Sequence, residues 1–373
     1  MQHLLFKLLE QDVSGYHLGE HEQADAFMAI SIGMGAFLYH CIDKPSLKVI
    51  SSSLYSELQA SYYSSVFSAQ DQSVALLELL KMSAKSHFSV CVLKGMSVSY
   101  QYYEPPHLRL MRDIDLLVAA EDVAKLEAIL FQQGYCQISE NAPSYYQTHH
   151  HTMPFYHEQK QVWIEVHVQL FSEGNWRAAI PAFSLLNIRH EMLPASFENE
   201  TINRLGAELQ LVYIAAHWIE DFKPQGGLFA IWDAVFLLRK ENSFDWEKVL
   251  AWTSESSALA LPLYLLLNNL QRYQLFEFKH QHMTRLRQHC FGMIGIRCRV
   301  FNNIIDHFYL RQGVYSKLLN EFSLDVLWAE AARPSRLPYL FRVAWKLVFP
   351  EAVAERYSLI WHGRRLKKLL GLV

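Results

Sequence analysis

The sequence contains few cysteines, and their placement excludes two kinds of protein. Five cysteines are scattered through 373 residues, and no two of them form a C-x-x-C spacing. A disulfide-stapled scaffold and a cysteine-based zinc site both need denser, regularly spaced cysteines. The sequence also has no internal repeat, which excludes a repeat array. Cysteines that sit singly among apolar neighbours behave as small hydrophobic residues, and they indicate a reducing compartment.

Long hydrophobic runs are also missing. The longest one, ALALPLYLLL from Ala258, contains Pro262 and is far shorter than the roughly 20 residues that a membrane-spanning helix needs. The N-terminal stretch MQHLLFKLLEQDVSG lacks the apolar length and the small-residue cleavage pattern of a secretory signal. We therefore expect a cytoplasmic protein without a transmembrane segment.

The net charge is small, and the composition is that of a packed protein. The formal net charge is -3, with 51% hydrophobic and 19% charged residues. This balance is typical of a globular protein with a substantial core and argues against long disordered segments. Because the molecule has no strong positive field, a nucleic-acid partner would have to use a local basic patch.

The spacing of apolar residues changes twice along the chain. Residues 24–86 and the chain after about residue 206 have apolar residues at helical spacing. Between them lie three short branched or alternating segments typical of strands, FSVCVLKG, DIDLLV and VWIEVHVQL. The segment EDVAKLEAILFQQGY has one apolar helical face and ends at Gly134. The passage NIRHEMLPASFENETINRLG is polar and resembles a loop.

These patterns predict an α+β protein. We expect a small mixed β-sheet with crossing helices, flanked by N-terminal helices and by a C-terminal helical bundle. The predicted regions are an N-terminal helical region at 1–85, a catalytic domain at 86–185 and a C-terminal helical domain at 186–373.

Carboxylates alternate with aliphatic residues in two of the strand-like segments. Side chains two residues apart on a strand point to the same face, so Asp113 and Asp115 share one face of their strand. The same alternation places Glu165 and His167 on one face of the later segment. If the two strands are neighbours, three carboxylates converge on one side of the sheet.

Such a cluster requires a compensating charge. Two like charges about 4 Å apart repel by about 4 kcal/mol at an effective dielectric constant of 20, so a cation or a proton must join them. Oxygen ligands with open positions suit Mg²⁺, which also takes substrate phosphates as ligands. Asp113, Asp115 and Glu165 are therefore the candidate catalytic and metal-binding residues of a phosphoryl or nucleotidyl transfer.

Small and cationic residues near the acids are the candidate phosphate ligands. In VLKGMSVSY a strand ends at Gly95 and a helix begins, and backbone N–H groups at such a turn bind phosphate oxygens. Lys94 and Ser97 add side-chain donors there. Arg109 and Arg112 lie just before the acidic pair, where guanidinium groups would hold the pyrophosphate.

Two motifs carry a resemblance to a known family. LKGMSVSYQYYEPPHLRLMRDIDLLV, which contains R-x-x-x-D-x-D, is followed by HHHTMPFYHEQKQVWIEVHVQL, which contains E-x-H. With HWIEDFKPQGGLFAIWDAVFLLRKENSFDWEKVL further on, the chain resembles the bacterial uncharacterised nucleotidyltransferase family, a distant branch of the polymerase-beta-like nucleotidyltransferase superfamily. The likeness covers roughly residues 45–310 in motif order.

The resemblance implies a minimal nucleotidyltransferase fold and Mg²⁺-dependent transfer of a nucleoside monophosphate from a nucleoside triphosphate, with ATP as the first candidate donor. It implies that Asp113 and Asp115 bind metal, that Glu165 is the third acid, and that Lys94 and Gly95 occupy the phosphate-loop position. The superfamily pattern has glycine followed by serine at this turn, whereas this chain has Met96 after Gly95 and places Ser97 one residue later.

The histidine run and the isolated polar residues are more simply interpreted as structural groups than as metal ligands or catalytic residues. Adjacent histidines on an extended segment point in opposite directions, so at most two of His149, His150 and His151 should face one ion, and zinc is disfavoured. His167 shares the face of Glu165 and is the histidine best placed to contact a nucleotide. We interpret His217 and Asp233 as polar groups paired inside the helical bundle, and we expect Asp245 to cap a helix.

Three functions remain open from the sequence. The leading hypothesis is a nucleotidyltransferase whose acceptor is a hydroxyl group on a small molecule, peptide or protein. The second is a catalytically silent protein that keeps the fold to bind a nucleotide or a partner, which the altered glycine turn favours. The third is a zinc-dependent hydrolase that uses the histidine run.

Overall fold

The structure of the chain, a computed structural model, describes residues 4–11, 15–220, 224–290 and 292–310, together with Leu327, Phe341, Val343 and Ala344. Over these residues it has fourteen α-helices and seven β-strands. The helices are α1 (Leu4–Gln11), α2 (Gln23–Ser31), α3 (Gly35–Cys41), α4 (Lys44–Ile50), α5 (Ser52–Lys85), α6 (Lys94–Tyr102), α7 (Val123–Gln132), α8 (Leu185–Glu191), α9 (Ala207–Glu220), α10 (Pro224–Lys240), α11 (Trp246–Glu255), α12 (Ser257–Arg272), α13 (His280–His289) and α14 (Ile294–Leu310). The strands are β1 (Cys91–Val92), β2 (Asp113–Leu117), β3 (Cys136–Gln137), β4 (Phe155–His157), β5 (Val162–His167), β6 (Met192–Phe197) and β7 (Glu200–Leu205).

The strands form one mixed sheet in the order β3-β4-β5-β2-β1-β7-β6. Strand β2 runs parallel to β5, and β1 runs parallel to β7, whereas the other neighbouring pairs are antiparallel. The prediction of an α+β protein with a small mixed sheet and many helices is confirmed.

One part of the sheet comes from a segment that the sequence indicates to be a loop. Residues 192–205 form the hairpin of β6 and β7, and β7 joins the sheet with Asn203 opposite Cys91. The sheet therefore runs past residue 185, the predicted end of the catalytic domain. The hairpin lies at one edge and buries few residues, among them Phe197 and Ile202, so its polar composition hides the alternation of a strand.

The aliphatic side chains of the two central strands pack against helices. Ile114 and Leu116 of β2, with Ile164 and Val166 of β5, are fully buried in one cluster with leucines of α5 and α7. Each such side chain contributes roughly 1.5–3 kcal/mol by leaving water. Because these residues occupy alternate positions, the carboxylates between them face the other side of the sheet. Gly134, with φ +89°, follows the end of α7, as the sequence predicts.

Helices from both ends of the chain share a second apolar core. Phe6 of α1 lies 5.7 Å from the buried ring of Trp232 and stacks on Tyr273 at 4.3 Å. Arg239 of α10 donates a hydrogen bond to the Leu9 carbonyl at 2.6 Å. The N-terminal helix therefore packs into the C-terminal helical layer.

Helix α12 contains the longest apolar run, and it lies inside this helical core. Leu261, Leu263 and Leu265 are fully buried, and Pro262 lies within the helix. Asp245 caps the preceding helix by accepting a hydrogen bond from the Lys248 backbone N–H at 3.1 Å, as predicted. Within the described part of the chain, no helix combines the length and the apolar character needed to cross a bilayer.

Candidate active site

The register of the two central strands brings the predicted acids together. Asp113 lies opposite Trp163, and Asp115 lies opposite Glu165, in the parallel β2–β5 pair. Ligand atoms of Asp115, Glu165 and His167 all lie within 4.8 Å of one another. Two of the three predicted acids, Asp115 and Glu165, therefore lie close together with His167, because side chains at paired positions of neighbouring parallel strands point to the same face. Asp113 lies on this face but is not part of that group.

Asp115 is the most enclosed of the acids. Its side chain is 2% exposed, and Oδ1 lies 2.8 Å from both Lys94 Nζ and His167 Nε2. Burial works against the charge of this carboxylate, but the Lys94 ammonium and the His167 hydrogen bond outweigh it and hold the pKa of Asp115 well below its usual range. Asp115 is therefore ionised throughout the physiological range.

Lys94 supplies the cation at the centre of the site. Its Nζ lies 2.8 Å from Asp115 and 3.9 Å from Glu165. The residue is the first of α6 and has φ 44°, a left-handed conformation that costs a non-glycine residue energy. Burial opposes the charge of the ammonium, yet the carboxylates, Asp115 first, raise the pKa of Lys94 well above its ordinary value.

Asp113 is compensated less than Asp115, because Lys94 and His167 lower its pKa by less than burial and the other carboxylates raise it. Among the described residues it has no hydrogen-bond or ion-pair partner, although Asp115 and Glu165 are close enough to repel it. Burial, followed by repulsion from these two carboxylates, raises the pKa of Asp113 to about 7. A carboxylate that is held next to other carboxylates without a partner would be stabilised by an additional cation.

Glu165 lies among histidines. Its Oε2 is 3.5 Å from His167 Nε2 and 3.7 Å from His151 Nε2. Burial raises the pKa of Glu165, but interaction with His167 and then Lys94 lowers it further than burial raises it. Burial likewise opposes protonation of His167, but its hydrogen bonds to Asp115 and Glu165 leave its pKa raised. Ionised acids and a protonatable imidazole therefore share this pocket.

Arg109 pairs with a residue from the helical part of the chain. Its Nε and Nη2 donate to the two carboxylate oxygens of Asp233 on α10, each at 2.8 Å. Asp233 also accepts a 2.7 Å hydrogen bond from Tyr103. The prediction that Asp233 is a paired polar group is consistent with these contacts. Since a bidentate pair of this kind is strong, Arg109 fixes α10 against the β2 side of the site.

The close approach of Arg109 explains the glycine at position 95. A Cβ on Gly95 would lie 2.5 Å from Arg109 Nη1, and the guanidinium has little freedom to move because Asp233 holds it at two points. Any other residue at this position would displace the arginine or the start of α6. The absence of a side chain at Gly95 therefore leaves room for the Arg109 guanidinium. It would also let a phosphate approach the backbone at this turn.

The other two predicted phosphate ligands differ in their access. Arg112 is exposed and lines a cavity next to Asp113. Ser97 is 2% exposed, and its Oγ accepts a 2.7 Å hydrogen bond from Gln101. Ser97 is not among the residues that line the cavity, so the turn in front of α6 presents Lys94 and Gly95 to it and keeps this serine inside.

A cavity of about 500 Å³ connects Asp113 and Asp115 with the helical layer, whereas Glu165 does not line it. Lys94, Arg112, Asp113 and Asp115 form its charged wall, and side chains of α9 and α10, such as Trp218, form the opposite wall. A volume of this size is typical of a small-molecule site. His217 also lines this cavity, a location that its helical spacing alone does not reveal.

The histidine run is more compact than the sequence indicates. The ring of His149 lies 4.2 Å from the rings of both His150 and His151, and those two are 4.8 Å apart. The expectation that adjacent rings point in opposite directions is wrong, because residues 148–150 form a bend instead of an extended strand. Backbone hydrogen bonds from Thr152 to Val166 and from Val168 to His150 hold the bend against β5.

Sequence reasoning did not find two parts of this site. The pairing of Lys94 with Asp115 joins residues from different elements, and the approach of His151 to Glu165 depends on the bend before β5. A short bridge between His151 and His167 brings the run beside the acids. For the contact of Lys94 with Asp115, the opposite charges of the two residues were the available signal. No local sequence pattern indicated the contact of His151 with Glu165.

Comparisons with known proteins show which proteins this chain resembles. A family described as "Uncharacterised nucleotidyltransferase" matches residues 23–273. No curated protein matches the chain. Among solved structures, an antigenic nucleotidyltransferase-like protein from Paracoccidioides brasiliensis has 12% sequence identity and a TM-score of 0.39, with 58% of this chain and 93% of that chain covered.

Proposed function

Because the chain belongs to the uncharacterised nucleotidyltransferase family, we propose that it is a metal-dependent enzyme that moves a nucleoside monophosphate from a nucleoside triphosphate to a hydroxyl group. One observation carries the proposal. Asp115 on β2 lies opposite Glu165 on the neighbouring β5, Asp113 shares the face of Asp115, and the two aspartates line a cavity large enough for a nucleotide.

The three acids suit a divalent cation with oxygen ligands. Asp113 has no partner among the described residues, and repulsion by Asp115 and Glu165 raises its pKa. Mg²⁺ accepts one or two carboxylates and keeps positions for water and phosphate, so Asp113, Asp115 and Glu165 would hold it. When bound, the ion would neutralise charge on the transferred phosphate.

Cationic side chains on the cavity wall support a triphosphate donor, with ATP as the first candidate. Arg112 is exposed at the cavity, where its guanidinium can bind phosphate oxygens in a bidentate way. Lys94 now neutralises Asp115, and its ammonium would turn to the phosphates once a metal ion has taken over that task. Arg109 keeps its pair with Asp233 and positions the wall.

The transfer forms one bond and breaks one bond. The acceptor hydroxyl oxygen attacks the α-phosphorus, the bond from that phosphorus to the bridging oxygen breaks, and pyrophosphate leaves. Glu165 would accept the hydroxyl proton, since its lowered pKa keeps this carboxylate ionised. The acceptor would enter from the side of α9, where Trp218 lines the cavity.

Labelled donors test the proposal. Purified protein is incubated with each α-³²P-labelled nucleoside triphosphate, Mg²⁺ and cell extract, and both pyrophosphate release and labelled products are measured. Asp113→Asn and Asp115→Asn should abolish release while the circular dichroism spectrum stays that of the folded protein. Asp71→Asn serves as the matched control, since Asp71 is exposed on α5 and does not line the cavity. Release that survives in both site variants would reject the proposal.

A catalytically silent binding protein is the second candidate, and one contact favours it. Lys94 already neutralises Asp115 and approaches Glu165, which leaves the pair of acids less dependent on a metal ion. Calorimetry with each nucleoside triphosphate separates the two functions. Tight binding that is independent of Mg²⁺ and occurs without pyrophosphate release would favour the silent protein, whereas binding that requires Mg²⁺ favours the enzyme.

A further inference from the structure

A cluster of three imidazoles lies beside the acids, and the proposed transfer does not use it. His149, His150 and His151 each offer one ligand nitrogen, and these nitrogens lie within 4.8 Å of one another. His151 is buried, while the other two are partly accessible. Among the described residues, the buried Nδ1 of His149 has no hydrogen-bond partner. A concentration of imidazoles with an unsatisfied nitrogen is unusual, because buried polar atoms are normally bonded.

Neighbouring groups orient two of the rings as metal ligands. His151 Nδ1 lies 2.6 Å from the Thr152 carbonyl oxygen, so this nitrogen carries the hydrogen and Nε2 keeps its lone pair. His150 Nδ1 lies 2.8 Å from Ser172 Oγ. When it donates to that oxygen, the lone pair of His150 Nε2 is also left for a ligand. Hydrogen bonds of this kind, from the ring nitrogen that does not bind metal, accompany most histidine ligands.

We propose that His149, His150 and His151 bind one first-row transition-metal ion, with Zn²⁺ as the first candidate, and leave a coordination position open. Three imidazoles suit zinc, copper or nickel, whereas Mg²⁺ prefers oxygen ligands. Zinc–nitrogen bonds of about 2.1 Å place tetrahedral ligand atoms about 3.4 Å apart. The three nitrogens already lie within 4.8 Å of one another, so the ligand atoms would have to approach by about 1.4 Å at most to reach this spacing.

This ion would be distinct from the one proposed for the acids. The nitrogen cluster and the group of Asp115, Glu165 and His167 are separate ligand sets. They are also neighbours, since His151 Nε2 is 3.7 Å from Glu165. A metal ion on the histidines would thus place positive charge beside Glu165, and its open position would accept water or an oxygen of a bound molecule.

Metal analysis of the purified protein tests the site. The protein is purified without a polyhistidine tag, stripped with a chelator, incubated with Zn²⁺ and desalted, and its metal content is measured. The test variant replaces all three histidines by alanine. The matched control replaces three exposed histidines, His17, His190 and His280, by alanine. Asp115→Asn reports whether zinc binds at the acids instead.

About one zinc per chain should be retained by the wild type, the control and Asp115→Asn, and it should be lost from the test variant. Co²⁺ in the wild type should give the visible absorption of a four-coordinate nitrogen site. If the triple variant does not fold, His150→Gln with an unchanged circular dichroism spectrum replaces it and should lower zinc affinity at least tenfold. No retention by the wild type, equal retention by the histidine variant, or loss in Asp115→Asn would overturn the proposal.

Discussion

Replacing Asp113 by asparagine should stabilise the metal-free protein although it removes a proposed metal ligand. The carboxylate is held near Asp115 and Glu165 without a partner among the described residues, and its pKa rises from 3.8 to about 7. A rise of this size corresponds to about 4 kcal/mol of destabilisation when the group is ionised. Asparagine has nearly the same shape and no charge, so about 1–4 kcal/mol of this should be recovered.

The size of this stabilisation depends on pH. Since the folded-state pKa is raised, the stability associated with the protonated Asp113 is fully present below about pH 4 and is lost as the pH rises to about 7. The Asp113→Asn variant does not lose this stability, because asparagine does not ionise. The variant should therefore exceed the wild type in free energy of unfolding at pH 8, and the difference should shrink toward pH 4.

Urea unfolding at pH 5, 6, 7 and 8, with and without Mg²⁺, measures the effect. Saturating Mg²⁺ should raise the stability of the wild type and narrow the gap to the variant, because a bound cation neutralises the same repulsion. Asp71→Asn, an exposed change on α5, should alter stability by less than about 0.5 kcal/mol at every pH. An Asp113→Asn protein that is less stable than the wild type, or a difference independent of pH, would refute the electrostatic reasoning.

Three further substitutions test neighbouring contacts. Lys94→Met removes the cation 2.8 Å from Asp115, and the protein should therefore bind Mg²⁺ more tightly in the absence of nucleotide. Calorimetry should find an increase in affinity on the order of tenfold, equal to about 1.4 kcal/mol, while transfer slows. An unchanged Mg²⁺ affinity would contradict this prediction. Gly95→Ala places a Cβ 2.5 Å from Arg109 Nη1 and should destabilise the fold by about 1–3 kcal/mol in urea unfolding. Gln210→Met should instead stabilise by about 1–2 kcal/mol, because both amide atoms are buried without a partner among the described residues; loss of stability would disprove it.

The strand alternation around the acids was readable from the sequence. Asp113, Asp115 and Glu165 alternate with buried aliphatic residues such as Ile114 and Ile164, and a period of two assigns the faces of a strand wherever it lies in the fold. The helical spacing of apolar residues in α5 and the glycine after α7 were also readable, because both depend only on residues that are close in sequence. The edge hairpin of β6 and β7 was hidden, because a strand with little buried surface has weak alternation.

Contacts between distant residues were not readable. The pair of Arg109 and Asp233 joins positions 124 residues apart, and either residue alone has an ordinary alternative as a surface charge. The bend that brings His149, His150 and His151 together depends on backbone hydrogen bonds to β5. The sequence gives no sign of these bonds, so the run by itself is interpreted as an extended segment.

By itself, the sequence determined which side chains share a face, which segments are helices, and that carboxylates and cations occur close together along the chain, since these follow from local backbone periodicity. Only the tertiary structure decided that β2 and β5 are neighbours, that Lys94 sits between Asp115 and Glu165, and that burial and the two neighbouring carboxylates outweigh the cations near Asp113. Strand order and side-chain partners depend on packing of the whole chain, because electrostatic energy is set by distances in space and not by separation in sequence.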